Sequence, residues 1–216
     1  MDPELTMRER LLSDHQTQVF ADSESFRYFN ARAGFDIPTL KREDLEAVPD
    51  NVANVLDVGC GTGINLAHVA DLLHAERAVG VEPNQDTVNA LRSNHRGDHR
   101  LSFDAASAHR LPFETNSFDL VICWSVLHWV GRDNYLQALG ELVRVTKKWL
   151  LVMDFVAAEP FRVPYHHRDG VYTHKMDFTL PLMSSGVLEL VDEHRWWEPV
   201  AGGPRVAITE ADLVPF

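Results

Sequence analysis

The spacing of apolar residues along the chain changes near Pro49. Before it, apolar side chains recur at mixed spacings of three and four through residues 11–20 and 26–29, which predicts two short amphipathic helices. After it, short continuous apolar runs alternate with helical stretches. Runs of that length bounded by turn residues are typical of buried strands, so the second part is expected to be an α/β domain.

The alternation predicts five strands joined by helices. The predicted strands are 54–58, 78–82, 101–103, 118–123 and 149–154, and the predicted helices are 64–73, 84–93 and 135–146. Repeated strand–helix–strand units place their strands parallel. From 155 to 185 the pattern turns irregular, with three prolines among histidines and aromatic residues, and we interpret it as an insertion over the active edge of the sheet. A strand-like run at 187–191 and a short apolar run at 206–208 follow.

A glycine-rich turn, Gly59-Cys60-Gly61-Thr62-Gly63, follows the first predicted strand. Ligands bind beyond the carboxyl ends of parallel strands, and glycine lets the backbone approach a ligand or adopt a positive φ. The next helix begins with free N–H groups, which suit an anionic ligand group near residues 62–65. Glu82 ends the second predicted strand, where a carboxylate accepts hydrogen bonds from both hydroxyls of a ribose. The pattern therefore predicts a nucleoside cofactor.

A dinucleotide such as NAD is the alternative ligand for a glycine loop followed by a distant acid. Its fingerprint places the third glycine at position 64, where this chain has Ile64. The chain also carries no recognisable hydride-transfer constellation. Both observations argue against an NAD-dependent oxidoreductase.

Several motifs between residues 54 and 153 resemble the class I S-adenosylmethionine-dependent methyltransferases, type 11-like members included. The stretch Val55-Leu56-Asp57-Val58-Gly59-Cys60-Gly61-Thr62-Gly63 is similar to the family's first motif, Glu82-Pro83 to its second, residues 107–119 to its adenine loop, and residues 125–129 and 141–145 to its usual continuation. The resemblance implies S-adenosylmethionine as cofactor. It also implies a Rossmann-like, doubly wound, mostly parallel seven-stranded sheet with helices on both faces.

The same resemblance implies one domain over residues 1–216. Residues 1–50 would form a helical lid, 51–154 the cofactor-binding core, 155–185 the insertion lining the acceptor site, and 186–216 the final strands. By resemblance, the methionine portion would be held by Asp57, Gly59, Cys60, Gly61 and Gly63 and lined by Cys123, the ribose by Glu82, and the adenine by Ser107 and Ala108. Pro83, beside Glu82 in the second motif, is a further expected cofactor contact. Alternatively, Asp57 only caps the turn, and the two cysteines fill space at strand ends.

Charge and composition restrict the partners. The 216 residues carry a formal net charge of −12, which repels a phosphate backbone, so no nucleic acid partner is expected. The first residues lack the order of a secretory signal and no apolar run is long enough to span a bilayer, so we expect a cytoplasmic protein without a membrane partner. Two distant cysteines then predict reduced thiols.

The reaction expected from the resemblance is methyl transfer to an oxygen or nitrogen of a small molecule. The family's nucleic-acid amino-methyltransferases carry Asn or Asp, Pro, Pro and an aromatic residue after the fourth strand, whereas this chain has Cys123-Trp124-Ser125-Val126. A binding or regulatory module that keeps the cofactor, or a non-methylating catalyst, is the alternative.

Histidines are the candidate bases because only their side chains titrate naturally near neutral pH. We single out His128, after the fourth predicted strand, ahead of His166, His167 and His174 in the insertion. Its alternative role is packing beside Trp129. The spacing of the late histidines lacks the paired ligands of a tetrahedral zinc site, so no metal is expected.

Overall fold

The computed structural model describes residues 19, 21, 23, 25–32, 40–131, 134–157, 159–165, 168–193 and 214–215. Its helices are α1 (Ser25–Arg32), α2 (Ile64–Leu72), α3 (Gln85–Asn94), α4 (Tyr135–Val145) and α5 (Thr179–Ser184), with 3-10 helices at Arg42–Leu45 and Leu127–Trp129. Its strands are β1 (Asn54–Val58), β2 (Arg77–Glu82), β3 (Leu101–Ala105), β4 (Phe118–Trp124), β5 (Thr146–Met153), β6 (Phe161–Pro164), β7 (Tyr172–Lys175) and β8 (Val214–Pro215).

The central sheet has the strand order β3-β2-β1-β4-β5, and every neighbouring pair is parallel. The chain runs outward from β1 to β3, then returns to place β4 on the other side of β1. This reversal is a topological switch point, and ligands bind outside the carboxyl ends of the strands at such a point. The fold therefore places its crevice at the ends of β1 and β4.

Two apolar clusters, one on each face of the sheet, hold this order. Alternate residues of β1 divide between them: Val55 packs with α2 and α3, whereas Leu56 and Val58 pack with α4. All five residues of the central strand except the first are buried, because helices cover both faces. The expected doubly wound, parallel architecture is confirmed.

The expected number of strands is wrong: the main sheet has five strands among the described residues, not seven. Residues 187–191 form no strand, and Val187 and Val191 expose 67% and 61% of their surface. The run at 206–208 lies outside the described residues. Strand β8 pairs antiparallel with β6, so it extends a separate three-stranded sheet.

The stretch 155–185 contains regular structure that the proline-rich pattern did not predict. Strands β6 and β7 form an antiparallel pair, and α5 follows them. The buried residues Phe178 and Leu182 join the apolar cluster around α4. The segment is therefore packed on the domain rather than looped out. No helix in the described part of the chain is both long and apolar enough to traverse a bilayer.

Candidate functional site

A cleft opens at the carboxyl ends of β1, β2 and β4, where the topology places a ligand site. Its walls come from four parts of the chain: the glycine turn after β1, the end of β2 with the loop after β3, the turn after β4, and two residues from outside the central sheet. The lining residues are Ser25, Val58, Gly59, Gly61, Glu82, Pro83, Ala106, Ser107, Ala108, His109, Ser125, Val126, Trp129, Val130 and Tyr165.

The glycine turn is fixed by backbone bonds to the neighbouring strand. The N–H groups of Gly59 and Cys60 both donate to the carbonyl of Val81, at 2.9 and 3.1 Å. Gly59 and Gly61 adopt φ of +74° and +55°, a region that other residues enter only at a cost. A Cβ at Gly59 would lie 2.4 Å from Val126. The turn is therefore closely packed on one side and open to the cleft at Gly61.

Glu82 projects into the cleft from the end of β2 and is held at both oxygens. Its Oε1 accepts from the N–H of Gly61 at 2.7 Å, and its Oε2 accepts from the hydroxyl of Ser25 at 2.6 Å. Burial raises the pKa of Glu82, while these two hydrogen bonds act in the opposite direction. The carboxyl group is thus fixed by the protein before any ligand arrives.

Asp57 lies behind the turn and does not line the cleft. Burial raises its pKa to about 7, and the nearby Glu82 carboxylate adds to the rise. Two buried carboxyl groups at the ends of adjacent strands give this end of the cleft a negative character. A cationic ligand group would relieve their mutual repulsion.

The loop after β3 forms the second wall of the cleft and is tied down by a charged pair on α4. Glu141 accepts from the N–H of Leu111 at 2.7 Å, and Arg144 donates to the carbonyls of Leu111 and Phe113 at 3.0 and 2.6 Å. The same arginine bonds the carboxylate of Glu141 at 2.6 Å. Ser107 and Ala108 therefore stand on a loop with little freedom.

The third wall is mostly apolar and lies at the end of β4. Val126, Trp129 and Val130 are carried there by the 3-10 helix Leu127–Trp129. The Trp129 ring packs edge-on against Tyr165, with ring centroids 4.9 Å apart. Tyr165 in turn accepts a hydrogen bond from Arg27 of α1, so the N-terminal helix and the insertion meet above the cleft.

His128, the candidate base, is buried beside the cleft and is absent from its lining. Its Nδ1 is hydrogen bonded to Asp154 at 2.8 Å, and its backbone N–H donates to the other oxygen of that carboxylate at 3.2 Å. Its ring contacts those of Trp129 and Phe155. The His128 ring is thus buried beside Trp129 and outside the lining of the cleft.

Six of the predicted cofactor residues are brought together in the cleft, and four are absent from its lining. Those in the lining are Gly59, Gly61, Glu82, Pro83, Ser107 and Ala108. Asp57, Cys60, Gly63 and Cys123 are not among the lining residues. Both cysteines belong to the apolar clusters, and burial raises the pKa of each thiol well above its ordinary value.

The predictions for His166 and His167 lie outside the described residues. His174 is buried in β7, and burial lowers its pKa to about 4. No cluster of three or more potential metal ligands occurs in the part of the chain that the structure describes. Sequence reasoning missed Ser25 and Asp154, since nothing local to either residue indicates its distant partner.

The geometry fits the cofactor that the sequence motifs imply. Gly61 has no heavy atom within 4 Å of the position a Cβ would take, so its side of the turn has room for a ligand. Glu82 supplies a fixed acceptor for a ribose diol, and the buried acidic pair suits a cationic sulfonium. Ala108 offers a small apolar surface that would suit a base.

Comparisons with known proteins agree with the motifs. Residues 55–149 match the family model described as methyltransferase domain. Methyltransferase GfsG of Streptomyces halstedii is 36% identical over 161 residues, which cover 72% of this chain and 54% of that protein. Demethylmenaquinone methyltransferase of Staphylococcus saprophyticus is 26% identical over 147 residues, 67% of this chain and 60% of that protein. The chain therefore spans little more than half the length of these relatives.

A solved structure shares the fold. The [4+2]-cyclase SpnF superposes with a TM-score of 0.52 at 23% identity, covering 68% of this chain and 55% of that one. At this identity the likeness concerns the fold alone.

Proposed function

Residues 55–149 belong to the S-adenosylmethionine-dependent methyltransferase domain family, and from that premise we propose that the protein methylates an oxygen or nitrogen of a small-molecule acceptor. One observation carries the proposal. The cleft joins a fixed acid and a glycine turn, which suit the cofactor, to an adjoining apolar wall. One continuous cleft thus offers places for donor and acceptor side by side.

We assign the cofactor contacts by the position of each residue. Gly59 and Gly61 would face the methionine portion, Glu82 with Pro83 the ribose, and Ser107 with Ala108 the adenine. The four predicted residues that do not line the cleft would act indirectly, by supporting the glycine turn; they are Asp57, Cys60, Gly63 and Cys123. Gly63 illustrates this: a Cβ there would come within 2.9 Å of His95 and 3.1 Å of Phe103, so glycine is needed for packing.

The residues of the cleft supply alignment rather than chemical activation. When bound, S-adenosylmethionine supplies a methyl group already activated by the sulfonium charge. Holding an acceptor in line with that group is worth about 7–11 kcal/mol. The rigid turn, the fixed loop after β3 and the apolar wall would provide this alignment.

The acceptor wall favours a small, largely apolar molecule. Val126, Trp129 and Val130 present carbon surface, and Tyr165 adds a hydroxyl at the rim, the mixture typical of small-molecule sites. The formal net charge of −12 opposes a nucleic acid. The relative named demethylmenaquinone methyltransferase supports the same class of acceptor.

We propose that His128 acts by positioning. Its two bonds to Asp154 fix the 3-10 helix that carries Trp129 into the cleft. A general base adds about 10²–10⁴-fold only when the acceptor must lose a proton. Replacing His128 with Asn should therefore lower kcat/KM by raising KM for the acceptor, with kcat little changed. Loss of a base would instead lower kcat and remove an ionisation from its pH profile.

The first test is calorimetric titration with S-adenosylmethionine, S-adenosylhomocysteine and NAD. We expect the first two to bind and NAD not to. Glu82→Gln should weaken both, and Asp104→Asn, which alters an exposed carboxylate at the end of β3, should not. Binding of NAD alone would overturn the cofactor assignment.

The second test is transfer of a labelled methyl group to a panel of hydroxyl- and amine-bearing apolar molecules. Turnover of any of them supports the proposal. Tight cofactor binding without turnover across the panel would favour the non-methylating alternative.

A further inference from the structure

In the described part of the N-terminal segment (residues 19, 21, 23 and 25–32), one buried hydroxyl, that of Ser25, reaches into the cleft. Ser25, the first residue of α1, is 6% exposed and lies among the lining residues. Its hydroxyl donates to Oε2 of Glu82 at 2.6 Å, across 57 residues of sequence. It is the part of α1 that touches the acid to which we assign the ribose.

Two further contacts fix the position of this hydroxyl. The side chain of Asn84, at the start of α3, donates to the carbonyl of Ala21 at 2.6 Å. Thr87, one turn later, brings its hydroxyl within 3.3 Å of the Ser25 hydroxyl, and its N–H is held by Asn84 at 2.9 Å. The N-terminal segment therefore contacts α3 at Ala21 and at Ser25. The Ser25 hydroxyl is thus held in place and is not a freely rotating surface group.

The hydrogen bonds from Gly61 and Ser25 use part of the accepting capacity of the Glu82 carboxylate. An ionised carboxylate offers about four lone-pair sites. The N–H of Gly61 and the hydroxyl of Ser25 each use one, on different oxygens. One site stays available on each oxygen, which matches the two hydroxyls of a ribose. Without Ser25, the carboxyl group would be held at one oxygen only and would be free to rotate about its last bond.

We propose that Ser25 is a positioning residue for ribose recognition, so that α1 completes the cofactor site by orienting Glu82. Cofactor affinity then depends on whether the N-terminal segment is docked. This inference rests on the role proposed for Glu82 and is independent of the acceptor.

The test measures binding of S-adenosylhomocysteine and of its 2′-deoxyribose analogue to the full chain by calorimetry. Ser25→Ala and Ser25→Gly remove the hydroxyl without adding atoms. Because the freed Glu82 carboxyl group would have to be ordered again when the ribose binds, we expect each to weaken S-adenosylhomocysteine binding by about threefold to tenfold. Both should also reduce the preference for ribose over 2′-deoxyribose, which a merely structural role would leave unchanged.

Two variants serve as controls. Ser23→Ala alters an exposed serine on the same segment, whose hydroxyl accepts from Arg168 at 2.9 Å, and should bind both ligands like the wild type. Ser25→Thr keeps the hydroxyl and should retain the ribose preference. Thermal melts of each variant check that the fold is intact.

The outcomes distinguish the positioning role of Ser25 from the ribose-binding role of Glu82. If Glu82→Gln weakens binding while Ser25→Ala and Ser25→Gly bind normally or more tightly, the inference about Ser25 is overturned and the role of Glu82 stands. If Glu82→Gln has no effect, the ribose assignment itself fails, and the inference fails with it.

Discussion

Replacing Gly59 with Ala should strongly destabilise the protein, because the change meets two obstacles. The residue has φ of +74°, and placing an L side chain in that region costs about 1–2 kcal/mol. The added Cβ would also lie 2.4 Å from Cγ2, 3.1 Å from Cγ1 and 3.3 Å from Cβ of Val126. Overpacking of this kind costs about 1–3 kcal/mol. We expect the free energy of unfolding to fall by about 2–5 kcal/mol.

Gly61→Ala separates the two contributions. Gly61 has φ of +55°, but no heavy atom lies within 4 Å of the point where its Cβ would stand, so only the backbone cost of about 1–2 kcal/mol applies. The new methyl group would stand beside the cleft, so this variant should lose affinity for S-adenosylmethionine while remaining folded. The two alanine variants thus separate packing from ligand access.

A double-mutant cycle isolates the clash. Val126→Ala removes both Cγ atoms and leaves only the contact at 3.3 Å, so Gly59→Ala should cost about 1–3 kcal/mol less in that background. Urea denaturation followed by circular dichroism gives the free energy of unfolding for the four proteins. Additive effects, or a Gly61→Ala as costly as Gly59→Ala, would refute the packing argument.

Three further predictions concern buried carboxyl and thiol groups and the half-buried Arg144. Asp57 has a folded-state pKa of about 7 against an ordinary 3.8, so the wild type should lose stability as pH rises between these values, and Asp57→Asn should flatten that part of the profile in urea denaturation. Arg144→Met should cost about 1.5–3 kcal/mol in the same assay, because three groups lose a charged donor. Cys60 and Cys123 should resist a thiol reagent at pH 8 until urea unfolds the chain, since both are buried and their thiol pKa values are raised.

The central strands could be predicted because they are buried on both faces. Each of β1, β2 and β4 is almost wholly buried and mostly apolar, a local signal that needs no partner to be recognised. The start of β5 was harder to place. Lys147 and Lys148 are exposed in this edge strand, and their polarity shifted the predicted start to residue 149.

Elsewhere the sequence pattern was misleading for a physical reason. Strands β6 and β7 are mostly half-buried and hold polar residues and, at the end of β6, Pro164, so they lack both the apolar run and the strict alternation. Residues 187–191 have the composition of a strand, but a strand also requires a neighbour for its backbone groups. The described residues provide none there.

The residues of the site also differ in whether the sequence alone reveals them. The glycine turn and Glu82 are readable because each is tied to the end of a recognisable strand. Ser25 and Asp154 are not, since their roles depend on partners 57 and 26 residues away. Hydrogen bonds at such separations follow from the topology and leave no periodic signal.

The origins of the cleft walls suggest how cofactor and acceptor recognition are divided in this chain. The glycine turn, Glu82 and the loop after β3 all lie within residues 55–149, the part that matches the methyltransferase domain family. Ser25 and Tyr165 come from outside it, and α1 meets the insertion where Arg27 donates to Tyr165. The apolar acceptor wall of Val126, Trp129 and Val130 also lies within the matched part, so Tyr165 is the acceptor-side lining residue, among those described, that the matched domain does not supply. We therefore expect substitutions at Tyr165 to change acceptor preference more than cofactor affinity, whereas those at Ser25 should do the reverse.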